Sequence, residues 1–176
     1  MARRIKPPTY AEVLDWLIEH YSDLRRMPVD RIEILGSLRD QHPFLVPPPV
    51  KHIYRGLFNV TDATVQSIRT GTVKATMNKS WTTSRAVAEL FANGEYTNDS
   101  PVSGRKSLVL RARMPTDAVL NYRLIAEIPA VGQEQHPRWG TVLEETILFE
   151  AEVLLPKAPK RVAIVDETAL DDSVIW

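Results

Sequence analysis

Apolar residues near the start of the chain recur every three or four positions, as they do along one face of a helix. This spacing predicts a first helix over residues 10–21, which follows a Thr9-Glu12 capping box and buries Tyr10, Val13, Leu14, Leu17 and Ile18. A second helix is predicted from Asp30. The run Pro47-Pro48-Pro49 then ends the helical lead with a stiff connector.

After the prolines the pattern changes to short alternating segments separated by turns. Extended segments are predicted over 50–57, 72–83, 107–113, 119–128, 142–155 and 161–165, and short helices over 62–69 and 84–92. Helices first and many short strands later, without regular alternation, favour an α+β fold. We predict a single domain over 1–176, with the helical lead and connector at 1–49, a core at 50–165 and an acidic tail at 166–176.

Composition narrows the class of protein. The 176 residues are 44% hydrophobic and 25% charged, which is ordinary for a globular domain. The chain has no cysteine, so thiolate zinc sites and cysteine nucleophiles are excluded. The four histidines show no ligand spacing, and we expect no metal. Because there is no apolar run of membrane length and no secretion signal, we expect a cytoplasmic protein that does not bind membranes.

The charges are balanced overall but unevenly distributed. Between Lys51 and Arg113 there are ten basic and four acidic residues, whereas the segment from Gln133 to Glu152 is acidic. Such an arrangement suits an anionic ligand, and it also fits two solvated faces. A nucleic-acid binder is less well supported, because aromatic residues are not interleaved with the basic residues along this part of the sequence.

Three short segments carry candidate chemistry. Arg55 precedes Gly56 in His52-Ile53-Tyr54-Arg55-Gly56; an arginine fork can bind phosphate, and a glycine lets a ligand approach the backbone. Hydroxyls at Ser80 and Thr82 share one face of an extended segment, and Ser84 suits the N-cap of the next helix. Taken alone, each of these two segments is better explained by a structural role, as an ion pair for Arg55 and as a turn or helix cap for the hydroxyls.

The third segment is Glu150-Ala151-Glu152, at the start of an apolar run. If the segment is a regular strand, both carboxylates lie on one face of it. Two neighbouring carboxylates can stabilise an oxocarbenium-like sugar and activate a nucleophile. A strand with one buried face and one solvent-exposed face would show the same pattern.

Taken together, IYRGL, then SWTTS followed by Ala88-Glu89-Leu90-Phe91-Ala92, then EAEVLLP, resemble the arginine-serine-glutamate class of mono-ADP-ribosyltransferases. The nearest resemblance is to the small enzymes of tailed bacteriophages, followed by bacterial arginine-directed toxins. It covers roughly residues 50–165 and implies an ADP-ribosyltransferase core of two packed, mainly antiparallel sheets with short helices. It also implies that NAD is a substrate and that the setting includes the host cytoplasm after phage infection.

The resemblance assigns a role to each residue that matches a motif. Glu152 would bind the ribose of NAD and stabilise its cation, and Glu150 would deprotonate the acceptor. Arg55 would contact the phosphates, and Ser80 would orient Glu152. The pocket would also include Gly56, Thr82 and Phe91, and the loop residues Arg138 and Trp139 would recognise the acceptor.

Several alternatives stay open at this point. The family often has serine or phenylalanine where Trp81 and Thr82 stand, and Glu144-Glu145 is a second acidic pair that could supply the catalytic glutamate. An NAD glycohydrolase would use the same residues, and an inactive fold of this type would serve as a binding module. Arginine side chains of a protein are the favoured acceptor by resemblance, with a nucleic-acid acceptor as the alternative.

Overall fold

A computed structural model describes residues 46–72, 80–95, 99–120, 151–155 and 158–171. The predicted helices over 10–21 and from Asp30 lie outside these ranges, so the helical lead stays a prediction. The described elements, in chain order, are β1 (His52–Val60), α1 (Asp62–Arg69), β2 (Ser80–Thr82), α2 (Arg85–Ala92), β3 (Lys106–Arg113), β4 (Val119–Leu120), β5 (Glu152–Leu154) and β6 (Val162–Ala169).

The six strands form one sheet in the order β4-β5-β2-β1-β3-β6. Every neighbouring pair is antiparallel. The α+β class predicted from the sequence is therefore confirmed. The prediction of two packed sheets is not met within the described residues, which make a single sheet with a helix on each face.

The helix α1 covers one face of the sheet. Thr61 caps it, because the Thr61 hydroxyl oxygen accepts a hydrogen bond from the backbone N–H of Thr64 at 3.2 Å. Val65 and Ile68, three residues apart, are buried in the main hydrophobic core. The sheet's contribution to this core includes Ile53, Trp81, Leu108, Leu110, Ala112 and Val153.

The helix α2 packs on the opposite face. Its N-cap is Ser84, whose hydroxyl oxygen accepts a hydrogen bond from the N–H of Val87 at 3.3 Å. Ala88 and Ala92 pack against Val109 of β3. Ser107 of β3 donates a hydrogen bond to the Ala92 carbonyl and so ties the end of the helix to the sheet.

Gly56 lets α2 approach the sheet this closely. A Cβ atom at Gly56 would lie 2.0 Å from the carbonyl oxygen of Ala88 and 2.5 Å from the backbone nitrogen of Ala92. A side chain at position 56 would thus overlap the helix backbone. The absence of a side chain here serves helix packing.

Sequence and structure agree closely on both helices and differ at the end of the chain. α1 spans the predicted residues 62–69, and α2 begins immediately after the predicted cap, Ser84. The last strand was predicted to end at residue 165, but β6 continues to Ala169. Asp166 and Glu167, which we assigned to the acidic tail, therefore belong to the sheet.

Ion pairs join α1 to the adjoining end of the sheet. The Lys106 ammonium lies 3.1 Å from Asp62 and 2.8 Å from Glu167, and Arg69 lies 2.6 Å from Glu167. The hydrogen bond to Lys106 is the main cause that lowers the pKa of Glu167, and the same bond raises the pKa of Lys106. Lys106 and Arg69 are thus matched by carboxylates at this end of the molecule.

Candidate functional site

The centre of the candidate site is a row of three residues on neighbouring strands, which we call the central row. Tyr54 of β1 is in register with Thr82 of β2, and Thr82 is in register with Glu152 of β5. Residues directly opposite one another in a sheet point to the same face, with Cβ atoms about 4.5–5.5 Å apart. The three side chains therefore share the face on which α2 packs.

Thr82 is the buried member of this row, with 5% of its surface exposed. Its hydroxyl oxygen accepts a hydrogen bond from the backbone N–H of Ser84 at 3.0 Å. A hydroxyl has one hydrogen to donate besides its two acceptor positions, and it can give that hydrogen to a carboxylate on the adjacent strand. Glu152 is half-buried and stands at that position.

The register differs from the predicted pairing of Ser80 with Glu152. Ser80 lies opposite Leu154, two positions along β5, whereas Thr82 lies opposite Glu152. The sequence predicted both hydroxyls on one face, but it did not determine which of the two residues lies opposite Glu152. The antiparallel register thus brings Thr82, and not Ser80, directly opposite Glu152.

The predicted geometry of Glu150 and Glu152 rests on an unbroken strand, and the chain is not extended between them. β5 begins at Glu152, and Ala151 has a φ of +44°, which lies in the left-handed region. The Ala151 carbonyl accepts a hydrogen bond from the N–H of Thr83 at 3.2 Å. The regular strand on which that prediction rests therefore does not include Ala151. Glu150 itself lies outside the described residues.

Arg55 is next to the central row along β1 but is not part of it. Ile53 and Leu57 pack into the main core. Arg55 lies between them on the same face of β1, opposite Leu110 of β3. Tyr54 packs on the other side, near α2. Strand alternation therefore sets Arg55 and Glu152 on different faces of the sheet, whereas the resemblance assigns both residues to one NAD site.

The other predicted pocket residues are dispersed. Gly56 is covered by α2 on the side where a side chain would stand, so that side of its backbone is closed to a ligand. Phe91 lies in the last turn of α2, beside Gly56 and away from the Ser84 end. Arg138, Trp139 and the Glu144-Glu145 pair lie outside the described residues.

One feature of the site was missed in the sequence: a set of basic residues beside the central row, which we call the basic surface. It consists of Lys51, His52, Arg111, Arg113 and Arg161, which line one open groove. Arg111 is in register with Tyr54, and Arg113 with His52. This clustering arises only from the pairing of the strands, since the two members of each pair are more than fifty residues apart in the sequence.

Electrostatics around the basic surface are visible at His52. Burial is the largest cause that lowers the pKa of this imidazole below its ordinary value, and the charges of Arg111, Lys51 and Arg113 lower it further. Each of these cations disfavours a positive charge on the nearby ring. The neutral form of His52 is therefore favoured near neutral pH.

Within the described part of the chain, no group of three or more histidine and carboxylate side chains could hold a metal ion. No helix in the same residues is long and apolar enough to cross a membrane. Comparison of the chain with known protein families, curated proteins and solved structures finds no match.

Proposed function

We propose that the chain is a mono-ADP-ribosyltransferase. It cleaves the bond between nicotinamide and ribose in NAD and transfers ADP-ribose to an acceptor, for which arginine side chains of a protein are the first choice. The motif resemblance suggests this reaction. The single observation that supports it best is the strand register that sets the half-buried Glu152 opposite the buried Thr82.

The reaction needs a fixed negative charge beside the ribose. When the glycosidic bond breaks, its electron pair leaves with nicotinamide and the sugar becomes a cation. A carboxylate that is already oriented stabilises this cation without reorganising at the moment of reaction. Glu152 would supply the charge, and Thr82 would hold it in position from the neighbouring strand.

The remaining roles follow from the resemblance and are proposals of the same kind. Glu150 would accept the proton of the incoming nucleophile as the new bond to the ribose carbon forms. The resemblance also gives the phosphates of NAD to Arg55, although strand alternation sets this residue on the face opposite Glu152. Arg138 with Trp139 would recognise the acceptor.

The decisive experiment replaces Glu152 by glutamine. The substitution keeps the shape of the side chain and removes its charge, so nicotinamide release and transfer should both fall by about 10²–10³-fold. The assay incubates the protein with adenylate-labelled NAD and a bacterial lysate, and it measures released nicotinamide and labelled acceptor side by side. Glu95→Gln, an exposed site at the far end of α2, is the matched control and should retain wild-type rates.

The same assay separates the proposal from its alternatives. Nicotinamide release by the wild type without any labelled acceptor would identify a glycohydrolase. Absence of both products would leave a binding module and reject the enzyme. Near-normal rates in Glu152→Gln would remove this glutamate from the site.

Thr82 offers a second test because its role is to position Glu152. Thr82→Ser keeps the hydroxyl and should retain most activity, whereas Thr82→Val keeps the shape and should lose much of kcat with little change in KM. Thr83→Val, one residue away, controls for general damage to β2. If Ser80→Ala proves more harmful than Thr82→Val, then Ser80 is the orienting residue.

A further inference from the structure

The basic surface differs from the opposite end of the same sheet in how its charges are balanced. Within the described ranges, none of its five side chains takes part in an ion pair. By contrast, Lys106 and Arg69 at the other end of the sheet, and Arg85 in the first turn of α2, each lie within 3.1 Å of a carboxylate. Positive charge is thus concentrated on one side of the central row.

The arrangement of this charge favours phosphate as the ligand. Arg111 and Arg113 are both exposed and stand two residues apart on β3, so they share a face about 7 Å apart along the strand. Guanidinium groups bind phosphate oxygens through two parallel hydrogen bonds. The groove that they line is open and has a volume of 360 Å³.

Aromatic rings alternate with the arginines across the strands. Tyr54 lies opposite Arg111, and His52 lies opposite Arg113, so two rings and two guanidinium groups form a two-by-two patch on one face. Rings placed beside cations are the arrangement with which sheets bind unpaired bases and their backbone. The linear sequence hides this interleaving, because the rings and the arginines come from different strands.

A protein partner fits this surface less well. The core of a protein–protein interface is apolar and rich in large side chains. The apolar residues that line the groove are Ala112, Val162 and Ala163, and Ala112 is itself buried. The exposed large hydrophobic residues of the described part, Val46 and Val102, do not line the groove.

We propose that the basic surface binds single-stranded nucleic acid, with phosphates on Arg111 and Arg113 and bases on the rings of Tyr54 and His52. The strand would then pass directly beside Thr82 and Glu152, because Tyr54 belongs to the central row. This binding does not depend on the proposed NAD chemistry, and it is measured without NAD.

Binding is measured by fluorescence anisotropy of the full chain with a labelled twelve-nucleotide oligouridine at several salt concentrations. The Arg111→Ala/Arg113→Ala variant should bind about tenfold more weakly or worse. The slope of log affinity against log salt concentration should be shallower by about 1.4, because each of the two lost phosphate contacts contributes about 0.7. Arg69→Ala/Arg85→Ala removes the same charge from paired arginines and should leave both quantities unchanged.

Tyr54 tests the contribution of stacking. Tyr54→Phe keeps the ring and should bind as the wild type does, whereas Tyr54→Leu should lose about fivefold or more in affinity. Because stacking involves no counterion, the salt slope of the Tyr54→Leu variant should stay constant. Circular dichroism and thermal melting establish that each variant is folded before its affinity is compared.

Three results would overturn the proposal. Equal losses of affinity in the two double-arginine variants would show that binding depends only on the net charge of the protein. Tighter binding of a twelve-base-pair duplex than of oligouridine would reject single-strand recognition. Binding of poly-glutamate as tightly as oligouridine would point instead to an acidic protein.

Discussion

Replacing Gly56 by alanine places a methyl group inside the backbone of α2. The new Cβ would lie 2.0 Å from the Ala88 carbonyl oxygen, 2.5 Å from the Ala92 nitrogen and 2.7 Å from the Phe91 Cβ. Ordinary contacts begin near 3.4 Å, so the helix would have to move away from β1 by more than about 1 Å. None of these three atoms belongs to the flexible end of a side chain, so rotation of a side chain cannot relieve the overlap.

The expected cost follows from this geometry. Extra methyl groups in packed interiors cost about 1–3 kcal/mol, and a clash with helix backbone belongs at the upper end of that range. We therefore expect Gly56→Ala to lower the free energy of unfolding by about 3 kcal/mol. In a domain of this size the midpoint of thermal unfolding would fall by about 6–12 °C.

Equilibrium unfolding in urea measures this loss, and Gly71→Ala provides the matched control. Gly71 has a φ of +71° with no atom within 4 Å of the new Cβ, so its replacement costs only the left-handed conformation, about 1–2 kcal/mol. A Gly56→Ala variant that loses no more stability than Gly71→Ala would refute the close seating of α2 on β1.

Three further predictions concern the site and the paired end of the sheet. Arg55→Lys should weaken NAD binding in titration calorimetry, since lysine lacks the planar fork, and equal affinities would leave Arg55 a structural role. Glu150→Ala should lose acceptor labelling by about 10²–10⁴-fold while keeping much of the slow nicotinamide release, and parallel loss of both would reject a separate base. The stability advantage of wild type over Glu167→Gln, measured by urea unfolding, should be constant between about pH 5.5 and 9.5. This advantage should shrink at low pH, as Glu167, whose folded pKa is lowered, becomes protonated. It should also shrink at high pH, as Lys106, whose folded pKa is raised, loses its proton. An advantage that did not change with pH would contradict this pairing.

Local signals in the sequence were sufficient for α1 and α2, the two helices of the described residues. Ser84 followed by apolar residues at helical spacing predicted α2, because an N-cap hydroxyl and a buried stripe both act within one or two turns. The bounds of α1 were predicted for the same reason. The end of β6 was not, because acidic residues at 166 and 167 suggested a solvated tail until Lys106 and Arg69 were found beside Glu167.

Relations across strands could not be predicted from the sequence. Alternation shows which residues of one strand share a face, but register decides what lies opposite them. For this reason the sequence could propose Ser80 as the partner of Glu152 when Thr82 is the residue in register. The same limitation hid the pairing of Tyr54 with Arg111, since neither residue belongs to a motif that includes the other.

Ala151 links these geometric findings to the proposed chemistry. A non-glycine residue at positive φ costs roughly 1–2 kcal/mol, and such conformations persist where the surroundings impose them, often at functional sites. Here the N–H of Thr83 holds the Ala151 carbonyl at 3.2 Å, so the turn is fixed by the strand that carries Thr82. Because the turn immediately precedes Glu152, β5 begins with this residue already opposite Thr82. One backbone contact thus holds Ala151 in this conformation and sets the register of Glu152. Glu152 is the residue to which the proposed reaction assigns the stabilising charge.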